Sequence, residues 1–283
     1  MIRTKSYFGM VVIAAALAAQ GNTAELQRET AEAWQEYLCR PGNSMQARLE
    51  GSEPFLWMDE EAGRARRVKS GEIVVAPLAG HGTQSVPNGL IHDWIGAVFI
   101  PNATVQSLLE VVRHYDRYKD FYKPVVMDSQ VLDADGAEQE FSMVWQRHVL
   151  FVNAAMRGHY HAKDVIVDAY RGYSIVEART LQQIDDYGQP GEHLLPPDTG
   201  SGFIWRIYSI ARYAERDGGV YLEVEGIALS RGVPRSMRWL VNPVVNHLSV
   251  NSLTTTLEQT RAAVNRQKAA PERLVAKESK GRN

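Results

Sequence analysis

The stretch VPRSMRWLVNPVVNHLSVNSLTTTLEQTRAAV, residues 233–264, decides the fold of this chain. Met237, Val241, Val244 and Leu248 recur at steps of four and three, and after a step of five the series resumes at Leu253, Leu257 and Val264. Such spacing places apolar side chains on one face of an α-helix, here interrupted once between Leu248 and Leu253. Pro243 lies in the first half, where it removes a backbone donor, so the pattern predicts a long, bent C-terminal helix. Beyond Val264 the sequence RQKAAPERLVAKESKGRN loses apolar periodicity and reads as a disordered, mildly basic tail over 266–283.

Immediately upstream, Phe203 to Ala214 and Val220 to Ser230 read as strands joined at Asp217-Gly218, so a hairpin feeds the helix. With the loop centred there, Arg212 lies opposite Glu223. One face then carries Arg206, Tyr208, Ile210, Arg212, Glu223, Glu225, Ile227 and Leu229. The other carries Trp205, Ile207, Ser209, Ala211, Tyr213, Leu222, Val224, Gly226, Ala228 and Ser230, and is expected to meet the helix. Its small residues, Ser209, Ala211, Gly226 and Ala228, either let the helix approach closely or leave a cavity beneath it; both readings stay open.

Working outward, further strands are expected at Glu72 to Leu78, Leu90 to Ile100, Val125 to Leu132, Glu140 to Phe151, Gly158 to Asp168 and Tyr173 to Ile184, with short turns between most of them. Short connections of this kind define an antiparallel sheet. Asn102 is placed to cap a helix whose buried face is Val105, Leu108, Leu109, Val112 and Tyr115, followed by the aromatic exit Tyr118, Phe121 and Tyr122. Asp185 to Gly202 is a long Gly- and Pro-containing loop, a candidate lid. Near the N-terminus, Glu25 to Arg40 forms an amphipathic helix through Leu26, Ala33, Trp34, Tyr37 and Leu38, ended by Pro41-Gly42.

The 283 residues, 45% hydrophobic and 23% charged, suffice for a full core, and a formal charge of -2 argues against nucleic acid as a partner. Arg3 and Lys5 precede an apolar run from Phe8 to Ala19 and small residues ending at Ala24, the layout of a secretory signal peptide cleaved near Ala24. That run is shorter than the roughly 20 residues of a membrane span; a retained anchor is the alternative. Cys39 is the one cysteine, so export without disulfides points to a periplasm or secretion. Cys39 itself reads either as a reactive thiol or as a small apolar filler. The domains expected are thus a signal peptide at 1–24, a helical extension at 25–71, one folded domain at 72–265 and the tail.

Tyr115-Asp-Arg-Tyr118 with Phe121-Tyr122-Lys-Pro124, and Val220-Tyr-Leu-Glu-Val-Glu225 running through Ser230-Arg231 and Pro234 to Trp239-Leu-Val241, resemble the START-like or SRPBCC superfamily across roughly Leu90 to Val264. The resemblance implies an α+β helix-grip fold, a curved antiparallel β-sheet wrapped around a long C-terminal helix. It also implies an elongated cavity for lipids, quinones, polyketides or other apolar small molecules, and in some members cyclisation chemistry. The N-terminal extension and signal peptide depart from the family pattern.

His159 and His161 share a strand face with Arg157 and Lys163; flanking cations oppose a divalent ion, so no metal site is expected there. No nucleophile elbow, Walker loop or dinucleotide fingerprint occurs, and no cofactor is expected. Two functions remain. In the first, the protein carries an apolar ligand between Trp205, Ile207, Ser209, Val224, Gly226 and Ala228 of the sheet and Trp239, Val244 and Leu248 of the helix, with Arg231 at the mouth and transient membrane contact during exchange. In the second, it is a cyclase- or hydrolase-type enzyme using Glu225 and a cavity arginine. Hairpin parity sets Glu223 and Glu225 on the face away from the helix, where a cross-strand salt-bridge ladder is the plainer reading.

Overall fold

A computed structural model describes residues 24–78, 80–149 and 152–280, so the expected leader, apart from Ala24, lies outside the described residues. The chain forms α1 (Arg28–Leu49), α2 (Ala62–Lys69), β1 (Val74–Pro77), β2 (Thr83–Val86), β3 (Gly89–Pro101) and α3 (Val105–Val112). It continues through β4 (Val126–Asp135), β5 (Glu138–Val149), β6 (Val152–Ile166), β7 (Arg171–Asp185), β8 (Arg206–Arg216), β9 (Gly219–Arg231) and α4 (Arg238–Lys280). The strands make one antiparallel sheet in the order β1-β3-β9-β8-β7-β6-β5-β4, with β2 also pairing to β3. The long return from β3 to β9 places the first full strand beside the last, at the centre of the helix-bearing half.

The hairpin register matches the expected pairing, with Arg212 opposite Glu223 and Ser209 opposite Gly226. α4 docks on the same side as Ala211, Tyr213, Leu222 and Val224. Its Leu257, Ala263 and Val264 share a core there with Val98, Ile100, Leu108 and Val111. This is the α+β helix-grip arrangement: a large antiparallel sheet closed by the C-terminal helix.

Close docking occurs along β3. A Cβ built on Gly96 would come within 2.8 Å of Leu257 Cδ1 and 3.3 Å of Val75 Cγ2, so a side chain there would force these neighbours to shift. On β9 the situation differs. A Cβ on Gly226 would meet only Leu253 Cδ2, at 3.7 Å, an ordinary contact.

Four local expectations are corrected. α1 continues through Pro41 to Leu49, because Thr30, Trp34, Tyr37, Pro41, Met45 and Arg48 form one buried stripe and their packing outweighs the lost hydrogen bond. The cap of α3 is Thr104, whose hydroxyl accepts from Ser107 N–H in a capping box, while Asn102 takes a left-handed turn at φ 56°. α4 runs as one helix from Arg238 past Pro243, with secondary structure continuing to Lys280. On an unbroken helix a step of five turns the stripe by about 140°. Leu253, Leu257, Thr260 and Val264 therefore face the sheet, and the Val244–Leu248 stripe does not extend them. Finally, the 185–202 loop folds back: Asp185 and Ile184 pair with His193 and Leu194, and Thr199 and Gly200 pair with Glu25 and Ala24.

The two glycines give a direct check. Gly96→Val is expected to lower unfolding stability by about 1–3 kcal/mol through overpacking against Leu257, whereas Gly226→Ala is expected to lose none; urea denaturation of both variants measures the difference.

Candidate functional site

The sheet has two unlike faces. Along β9, Val224, Gly226, Ala228 and Ser230 on the helix-facing side are half-buried, while Glu223, Glu225, Ile227 and Leu229 on the convex side are buried. β8 contributes Ile207, Ser209 and Ala211 to the same half-buried strip. Ordinary amphipathic sheets bury the side that meets a helix most deeply. Here the N-terminal segment covers the convex side, and α4, seated along β3, leaves the β8–β9 strip under-covered.

At its β7 side the strip runs into an aromatic cluster. Ile207, Val176, Phe203 and Ile204 pack against Phe141, Trp145, Met156 and Tyr160. Tyr115 stacks on Phe141 with centroids 4.0 Å apart, Phe141 on Tyr160 at 4.9 Å, and Trp145 Nε1–H donates to Tyr160 Oη at 3.0 Å. Across the strip, Tyr122 meets the Thr260 hydroxyl of α4 at 3.0 Å, and burial pushes the Tyr122 phenol up to about 12.

A polar chain crosses the other end. Ser230 Oγ lies 2.8 Å from His92 Nε2; His92 Nδ1 lies 3.4 Å from Thr83 Oγ1; Thr83 donates to Asn246 Oδ1 at 3.4 Å; and Asn246 Nδ2 donates to the His81 carbonyl at 3.0 Å. It ties β9, β3, β2 and α4 together. Burial pushes His92 down to about 4, so it is neutral near pH 7. Sequence reading missed His92, Thr83 and Asn246. The alternation that set Leu90 and Trp94 on one side of β3 also carries His92, but nothing local links it to Asn246.

Of the expected ligand-lining residues, Ile207, Ser209, Val224, Gly226 and Ala228 share the strip. Trp205 does not: it precedes β8 and packs on the convex side with Trp34, Tyr37, Ile91, Ile227 and Leu229. Arg231 sits beside Trp205 below the Gly202 turn, its N–H donating to the Gly202 carbonyl at 2.8 Å. Trp239 is 76% exposed at the start of α4. Val244 and Leu248 are half-buried on the helix but off its sheet-facing stripe. Cys39 is exposed, so it fills no core. His161 pairs with Glu138 Oε2 at 3.3 Å.

Beneath the N-terminal segment lies an ionic cluster in place of the exposed ladder expected. Arg212 is 1% exposed and Glu223 0%. Glu223 accepts from the backbone N–H groups of Trp57 (2.9 Å) and Met58 (2.7 Å), and Arg212 donates to Glu223 Oε2 at 3.4 Å and Glu225 Oε2 at 3.3 Å. Burial raises the Glu223 carboxyl despite these partners. Tyr37 Oη–H donates to Asp93 Oδ2 at 2.6 Å, and burial together with the Glu225 charge pushes Asp93 up to about 6. Glu225 is paired on the face away from the strip, where hairpin parity places it. Two open clefts, of about 480 and 360 Å³, lie elsewhere, at the α2–β1 edge and around Phe55 and Tyr170. Among their arginines, Arg64 donates to the Trp57 carbonyl, and Arg67, Arg171 and Arg216 pair with Glu72, Asp168 and Asp59.

A single antiparallel sheet gripping a C-terminal helix is a helix-grip arrangement. Solved structures similar to the chain include a STAR-related lipid transfer protein from Xanthomonas axonopodis, 18% identical over 65% of this chain and 99% of its own, TM-score 0.42. Others are the Zhui aromatase/cyclase from a Streptomyces species, 13% identical over 62% and 96%, TM-score 0.37, and the human StarD13 lipid transfer and protein localization domain, 9% identical over 74% and 97%, TM-score 0.38. No protein-family model and no curated protein matches the chain.

Asp93 carries a pH signature. Its folded pKa is raised, so its contribution to stability is full below the unfolded value near 4 and is lost as pH rises through about 6. Asp93→Asn lacks this loss. The variant is expected to gain on the wild type by about 2 kcal/mol between pH 4 and pH 7, read as the difference between their denaturation midpoints across that range.

Proposed function

We propose that the protein is a carrier that holds an apolar or amphiphilic small molecule in a groove between α4 and the β8–β9 strip. The observation that carries this reading is the inverted burial along β9: small helix-facing residues half-buried, convex-side residues sealed. Close-packed interiors do not leave Ser209, Ala211, Gly226 and Ala228 under-covered beneath a helix without a use for the space. Leu253 forms one wall, Ile207 and Val176 lead to the aromatic end, and the His92–Ser230 pair supplies the polar groups a mostly apolar site needs for orientation. The hydrophobic-run pattern of residues 8–19 supports work outside the cytoplasm, with ligand exchange at a membrane surface. The enzyme alternative loses its acid, because Glu225 is committed to Arg212 on the other face.

Binding of the apolar fluorophore N-phenyl-1-naphthylamine tests the reading. The wild type is expected to enhance its emission with micromolar affinity, on the order of −8 kcal/mol. Gly226→Leu is expected to remain folded and lose at least tenfold in affinity, and Glu225→Gln to bind like wild type. Unchanged affinity in a folded Gly226→Leu protein would place the site elsewhere.

A further inference from the structure

The polar chain at the end of the strip has a direction. Asn246 Nδ2 donates to the His81 carbonyl, which can only accept, so Asn246 Oδ1 is left facing Thr83. A carbonyl oxygen accepts, so the single Thr83 hydroxyl proton goes to it. Thr83 Oγ1 then meets His92 Nδ1 as acceptor, which puts the imidazole proton on Nδ1. His92 is buried and neutral, so Nε2 is bare and accepts from Ser230 at 2.8 Å. The Arg231 carbonyl, at 3.5 Å, is the weaker claimant for the same proton.

Ser230 is half-buried on the strip side of β9, next to Ala228 and in line with Gly226. Its only proton points into the His92 ring. What it offers the groove is lone pairs. We propose that Ser230 reads the polar end of the ligand as a hydrogen-bond donor, so the groove selects uncharged amphiphiles ending in a hydroxyl or N–H, of the long-chain alcohol kind, over matched ethers and carboxylates. This rests on the carrier reading above and adds the chemistry of the ligand's head. An ether has no proton to give, and a carboxylate would set its lone pairs against those of Ser230, whose own proton is held by His92.

Displacement of N-phenyl-1-naphthylamine by dodecanol, dodecyl methyl ether and dodecanoate tests the proposal. Dodecanol is expected to displace the probe roughly threefold to tenfold better than the ether, the worth of one hydrogen bond, and better than dodecanoate. Ser230→Ala is expected to bring the alcohol down to the ether's level while leaving the ether and the probe unchanged. Thr83→Val, near-isosteric and half-buried, unlocks the tautomer: His92 can then donate to Ser230, whose proton becomes free. That variant is expected to improve ether binding and shrink the alcohol preference, a reversal that a merely structural role would not produce. Equal displacement by alcohol and ether, a preference for dodecanoate, or an alcohol preference surviving Ser230→Ala would overturn the donor-selective site while leaving the carrier reading intact. Failure of the probe itself to bind wild-type protein would remove the carrier reading and this proposal together.

Discussion

Glu223 is the point on which both faces of the sheet depend. Its carboxylate takes the Trp57 and Met58 N–H groups on one side and Arg212 on the other, with none of the three exposed to water at the contact. Charges this deep are costly to desolvate, and Arg212 offsets part of that cost by facing both Glu223 and Glu225; stripping one partner from such a pair costs about 3–5 kcal/mol. The clamp pins residues 54–60 over the convex face, and around it Leu56, Trp57, Met58 and Val68 pack onto Ile95, Ala97 and Tyr221. The N-terminal extension thereby supplies an outer layer that the sheet alone lacks.

With the convex side sealed, the helix is free to cover the concave side unevenly. Gly96 lets Leu257 press onto one side of β3 while residues 56–58 cover the other, and every residue of β3 from Gly89 to Ile100 is buried. Two strands away no comparable anchor exists among the described residues. Tyr122 and Thr260 hold the middle of α4, the Asn246–Thr83–His92–Ser230 chain holds its N-terminal part, and the middle of the β8–β9 surface stays partly open. The loop between β7 and β8 closes the adjacent edge without floating over it. Gln183 Oε1 accepts from Ser201 N–H and Oγ, and Arg206 pairs with Asp198.

The groove proposed above is bounded by the β8–β9 strip, α4 and few polar groups, which would suit a ligand held mainly by burial and oriented by one or two hydrogen bonds. The ionisable residues that would suggest chemistry, Glu223, Glu225, Asp93 and Arg212, are spent on attaching the extension. The upward shifts of the Glu223 and Asp93 carboxyls reflect structure, a known second source of such shifts besides catalysis.

The antiparallel strands, the hairpin register and the identity of the helix-facing side were legible in the sequence, because strand alternation and a two-residue turn act over a few residues. Arg212 opposite Glu223 follows from Asp217-Gly218 alone. The phase of the helix was legible only in part: periodicity identifies two apolar stripes but does not say that the helix passes Pro243 unbroken, and so does not say that they point apart. Trp205, one residue outside β8, and Trp239, at a helix start, fall where local pattern loses its hold on direction. Which strand the helix rests on, what covers the outer face, and which serine meets which histidine were decided by the tertiary structure. Those contacts join residues as distant in sequence as Trp57 and Glu223 or Thr83 and Asn246, and free energy spread over such pairs leaves no periodic trace in either partner's own neighbourhood.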